Sequence, residues 1–94
     1  MGYEILDPRD FLNGEPFSEK GFLERASAHD WGSHRDRQVL VRGCDSIIIP
    51  PWAYMLMAAR LAPYAKTIRF GNEHENILVN RRPGTTERVK TTDE

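Results

Sequence analysis

Cys44, Asp45 and Ser46 follow one apolar run, Val39-Leu40-Val41, and Glu73, His74 and Glu75 follow another, Thr67-Ile68-Arg69-Phe70. A thiol and an imidazole are the pair from which a nucleophile and its base, or two metal ligands, are built. The thiolate is the reactive form, and the positive end of a helix beginning at Pro51 would favour it. The candidate catalytic or metal-ligating residues are therefore Cys44 and His74, with Asp45, Ser46, Trp52 and Glu73 as candidate binding residues around them. A divalent metal is the cofactor such a pair would take. Cys44 also has a plainer reading as a small buried hydrophobe, the usual state of a free cysteine. Ile47, Ile48 and Ile49 separate it from the helix start, which weakens any dipole effect.

His29-Asp30-Trp31 and His34 form a second group of chemistry-bearing residues. Two histidines without a third nearby ligand fall short of a closed metal site. Their place also matters, because they lie in the connection that enters the strand at Gln38, at the opposite end of that strand from Cys44. His29 and Asp30 are read as the end of a helix and Trp31 as a cover for the edge of the core. One site holding all three histidines is not expected. Arg35, Arg37 and Arg42, mixed with Asp36, read as solvated surface. The chain has no Gly-rich phosphate loop, paired-carboxylate motif or CxxC motif.

The elements that must position these residues follow from pattern. Residues 3–6 form a short strand stopped by Asp7-Pro8. Asn13-Gly14-Glu15-Pro16 is turn chemistry, and Ser18 caps a helix that carries Phe22, Leu23 and Ala26 on one face and ends near His29. Residues 38–43 are a strand whose consecutive Val39, Leu40 and Val41 call for burial on both faces, as in a central parallel strand. Pro51 suits the first helical position, and the helix over 51–61 is apolar nearly all round. Residues 67–70 alternate as a strand with one wet face, and residues 77–80 make a further strand. Residues 81–94 hold only Val89 to bury and read as a flexible tail, so the single domain is 1–80.

The order βαβαββ is that of a small two-layer α/β sheet with helices packed on it and at least one parallel strand pair. A right-handed crossover between residues 38 and 70 puts the carboxyl ends of its two strands on one rim, where open α/β sheets bind ligands. Cys44 and His74 would then face the same cleft.

The bulk numbers exclude several classes. A chain of 94 residues makes one domain, and 39% hydrophobic with 29% charged residues is a globular composition. A net charge of -1 supplies no field for nucleic acid. The single cysteine excludes an internal disulfide framework and fits a reducing compartment, so the expected location is the cytoplasm. No secretory signal opens the chain, and the apolar stretch from Ile47 is broken by Pro50, Pro51, Arg60 and Pro63, so no membrane partner is expected.

Gly43-Cys44, the Pro-Pro-Trp-Ala-Tyr-Met start at Pro50, the Leu61-x-Pro63-Tyr64-Ala65-Lys66 ending, Phe70-Gly71 and His29-Asp30-Trp31 together resemble an uncharacterised bacterial family, the domain of unknown function 2480. The resemblance covers residues 29–80 and implies no established activity. It implies longer proteins with two related halves, of which this chain would be one. In such proteins the loop after the Phe-Gly strand can carry a second cysteine, and here His74 stands nearest. That exchange keeps metal-ligand capacity and removes a dithiol role.

Two functions follow. The preferred one is a small non-enzymatic module that self-associates or docks on a protein partner through the Trp52 helix or an exposed sheet edge. The alternative is a metal-binding or thiol-dependent site formed by Cys44 and His74.

Overall fold

The computed structural model describes residues 3–12, 14, 16–43 and 48–83 of the chain. Strands Glu4–Leu6 (β1), Gln38–Arg42 (β2), Thr67–Gly71 (β3) and Asn76–Arg81 (β4) form one sheet in the order β1-β2-β3-β4. Pairs β1-β2 and β2-β3 are parallel, whereas β3-β4 is antiparallel. Helix Glu19–Ala28 (α1) connects β1 to β2, and helix Pro51–Leu61 (α2) connects β2 to β3. This is the expected βαβαββ sheet, with two parallel pairs.

Local chemistry sets the element ends. Ser18 Oγ accepts the Gly21 N–H at 3.1 Å, satisfying one of the orphan donors at the start of α1. His29 ends that helix, its N–H turning back to the Ala26 carbonyl at 3.3 Å. Pro50 is extended, and Pro51 opens α2 where its missing N–H costs nothing.

Both helices cover the same face of the sheet. Leu6, Val39, Val41 and Ile68 share that face by register, and they pack in one cluster with Phe22 and Ala26 of α1 and with Ala53, Met57 and Leu61 of α2. Each of the larger side chains contributes about 1.5–3 kcal/mol on burial. Leu40 points the other way and is also fully buried, so the central strand is covered on both faces, as its unbroken apolar run requires. Trp31 closes the core's edge, its indole N–H donating to the Ala26 carbonyl at 2.7 Å.

Strand pairing continues past residue 80. Arg81 pairs with Thr67 in β4, the Arg82 N–H reaches the Lys66 carbonyl at 3.0 Å, and the Arg82 guanidinium donates to the Tyr64 carbonyl and to Asp36. Backbone pairing and charge hold these two residues, which a count of hydrophobic residues cannot register. Of the expected tail, residues 84–94 lie outside the described residues.

Candidate functional site

The parallel pairing of β2 with β3 brings their carboxyl ends to one rim, where Arg42, Gly43, Gly71, Asn72, Glu73 and His74 line a cleft of about 490 Å³. The loop there is tightly specified. Asn72 Oδ1 accepts the N–H groups of His74 and Glu75, each at 2.8 Å, and the Asn72 N–H returns to the Glu75 carbonyl at 2.9 Å. Gly71 has φ +141, and a Cβ there would stand 2.3 Å from the Glu75 carbonyl oxygen, so only glycine fits. Glu73 pairs with Arg42 at 3.3 Å. His74 and Glu73 are both exposed on this rim. Cys44, Asp45 and Ser46 lie outside the described residues, although Gly43 before them is tied to the rim through its N–H to the Gly71 carbonyl at 3.0 Å. Trp52 is not among the cleft's lining residues. It is 37% exposed, with its ring edge-on to Phe17 and Phe22 at the margin of the core.

The other two histidines meet at the opposite pole. His29 Nε2 and His34 Nε2 are 2.9 Å apart, and His34 Nδ1 is 3.1 Å from Glu4 Oε1. His34 is 5% exposed, held by the 3-10 turn Trp31–His34, whereas His29 is half-buried with its ring against Phe11 and Trp31. Burial, and then the charge His34 carries when protonated, hold His29 below the ordinary imidazole range, against the opposing pull of Asp30, Asp10 and Glu4. Beside it, His29, Asp30, Trp31, Arg60, Pro63 and Tyr64 line a cleft of about 390 Å³. Among the described residues no three His, Cys, Asp or Glu side chains are grouped to hold a metal ion. The separation of His29 and His34 from His74 agrees with the sequence expectation. The Glu4-His34-His29 chain is not evident from residue spacing; its one signal is that Glu4, two residues before the core residue Leu6, faces inward on β1.

A third feature is apolar. Val41, Ile68, Phe70 and Val79 on the sheet, with Pro51, Tyr54, Met55 and Ala58 of α2, border a groove of about 240 Å³ on the helical face. Two helices cannot cover four strands, and β4 is left at the edge of the sheet. Ile77 is 66% exposed, Val79 49% and Leu78 41%, and Met55 on α2 is 71% exposed. A bulge lets Val79 and Asn80 together oppose Ile68 of β3.

No helix among the described residues is long and apolar enough to cross a membrane. The family described as "Protein of unknown function (DUF2480)" matches residues 4–82, and the chain belongs to it. No curated protein and no solved structure matches the chain.

Proposed function

We propose that this member of the DUF2480 family is a non-enzymatic self-associating module, joined to a second copy through the outer edge of β4. The supporting observation is the row of exposed apolar residues Ile77, Leu78 and Val79 on a strand whose outer edge no other described strand pairs. Monomeric proteins blunt such an edge with charge, proline, bulges or cover, and β4 has only the Val79-Asn80 bulge amid this row. The occupant is argued from the strand itself. Residues 76–80 read Asn-Ile-Leu-Val-Asn, nearly the same in both directions, between Glu75 at one end and Arg81 at the other. An antiparallel pairing about a two-fold axis at Leu78 sets like beside like in the middle and the acidic end of each copy beside the basic end of the other.

Such a seam places Leu78 opposite its own counterpart and Ile77 against the partner's Val79-Asn80 bulge. Ile77 and Val79 of both copies then form one apolar strip on the helical face, with Met55 at each margin, which adds apolar burial to the short strand pair. The lone cysteine and the balanced charge support a cytoplasmic setting without nucleic acid as partner. Light scattering across a concentration series tests the reading: the mass rises toward twice 10.8 kDa, and Leu78→Lys returns it to the monomer with an unchanged circular dichroism spectrum. A wild-type chain that stays monomeric throughout overturns it.

The second reading, a metal or thiol site of Cys44 and His74, draws support from the parallel β2-β3 rim that carries His74 and Glu73 beside Gly43. Elemental analysis and thiol titration of the wild type, Cys44→Ala and His74→Ala test it. Metal or a low thiol pKa lost in both variants supports it, and identical behaviour of all three excludes it.

A further inference from the structure

We propose that Glu4, His34 and His29 form a proton relay serving the cleft at the His29 pole, and that this cleft takes a small oxyanion still carrying a transferable proton, of which the phosphate monoanion is the simplest. The proposal is independent of the β4 seam, since the cleft lies against the other helix end and the relay starts on the opposite edge strand.

The order of protons follows from the partners. A carboxylate only accepts, so His34 Nδ1 carries its proton toward Glu4 Oε1 at 3.1 Å. In the resting form of the relay His34 is neutral and accepts at Nε2, so that the proton in the 2.9 Å contact belongs to His29 Nε2. His29 Nδ1 is left as a lone pair with no hydrogen-bond partner among the described residues, in a residue that lines the cleft. Burial, by disfavouring the imidazolium, keeps that lone pair available near neutral pH.

A single transfer runs through both rings. The ligand's O–H bond breaks and an N–H bond forms at His29 Nδ1; the His29 Nε2–H bond breaks and one forms at His34 Nε2. His29 ends neutral, and the positive charge appears on His34 beside the Glu4 carboxylate. An uncharged surface histidine has no means of passing the charge inward in this way.

The ligand class comes from the rest of the wall. Arg60, in the last turn of α2, supplies a guanidinium with no ion-pair partner among the described residues, the group best suited to two oxygens of one oxyanion. Asp30 repels a fully ionised anion but accepts from an oxygen that keeps its proton. Trp31, Pro63 and Tyr64 make the remaining walls. The charged and titratable groups around His29 are thus His34, Glu4, Asp10 and Asp30, with Arg60 and Tyr64 from the α2 side.

Imidazole nitrogen NMR during titration with inorganic phosphate at constant ionic strength tests the proposal. The expected result is a saturable change in which His29 moves from the Nε2–H to the Nδ1–H form while His34 becomes imidazolium. Arg60→Gln, at an exposed site, weakens phosphate binding roughly tenfold, and Glu4→Gln leaves phosphate bound but blocks the His34 change. No saturable response, an equal response to chloride, or a phosphate response that both variants leave intact overturns it.

Discussion

His29 Nε2 and His34 Nε2 stand 2.9 Å apart, a distance at which one proton lies between the two rings and a second cannot be accommodated. His29 belongs to the end of α1 and His34 to the turn that leads into β2, and His34 is tied in turn to Glu4 on β1. Three successive pieces of chain are thus joined by a contact that depends on protonation.

Stability therefore depends on pH. Burial, and the charge His34 carries when protonated, hold the folded His29 below its ordinary value of 6.5, so the unfolded chain takes up this proton first as pH falls. By linkage the contribution is complete above 6.5 and is lost as pH drops from there toward the folded value. The melting temperature, followed from about pH 8 to about pH 5, is expected to decline through this window, and His29→Gln to flatten the decline. An identical slope in wild type and variant would contradict the assignment.

Gly71 fixes the turn from β3 into β4. With φ +141, and the Glu75 carbonyl oxygen 2.3 Å from where an alanine Cβ would stand, Gly71→Ala must shift the rim loop. A loss of about 1–3 kcal/mol is expected in denaturant unfolding, with the His74 and Glu75 amide resonances displaced. An unperturbed loop would show that the close approach is not needed.

Met57 is fully buried where α2 meets the sheet. Met57→Ala removes its side chain from a closed cluster and is expected to cost about 2–5 kcal/mol. Met55→Ala, on another face of the helix and largely exposed, is expected to stay within about 0.5 kcal/mol in the monomer. Equal losses at both positions would refute the orientation of the helix.

The cap of α1 is a smaller matter. Ser18→Ala leaves the Gly21 N–H without its side-chain acceptor and is expected to destabilise by about 1 kcal/mol, with Ser18→Asp restoring most of it. Chemical denaturation of the three proteins checks the order.

Much of this architecture is legible in the residues. Pro50-Pro51 marks the start of α2, the unbroken Val39-Leu40-Val41 marks a strand covered on both faces, and Ser18 marks the start of α1, because each rests on local chemistry that few alternatives satisfy. The rim shared by the ends of β2 and β3 follows from crossover topology. The contact of His34 with Glu4 is different in kind. Thirty positions separate them, and only the register of β1 against β2, with Glu4 beside Val39, brings the carboxylate to that pole. Arg81 and Arg82 read as tail in the sequence because their attachment is made by backbone pairing and charge, which a search for hydrophobic residues does not see. The exposure of Ile77, Leu78 and Val79 likewise depends on β4 being an edge, which strand periodicity alone does not state.

The seam through β4 is tested most directly by cross-linking at its proposed axis. In a Cys44→Ser background, Leu78→Cys brings two sulfurs to opposite positions of an antiparallel pair, within the separation a disulfide spans, whereas Ile77→Cys faces the partner's Val79-Asn80 bulge. Mild oxidation is predicted to convert Leu78→Cys to a covalent dimer far faster than Ile77→Cys, with Arg81→Glu slowing the reaction by setting like charges at both ends of the seam. A dimer by light scattering that cross-links no faster at 78 than at 77 would contradict this register, and a protein that neither dimerises nor cross-links would contradict self-association itself.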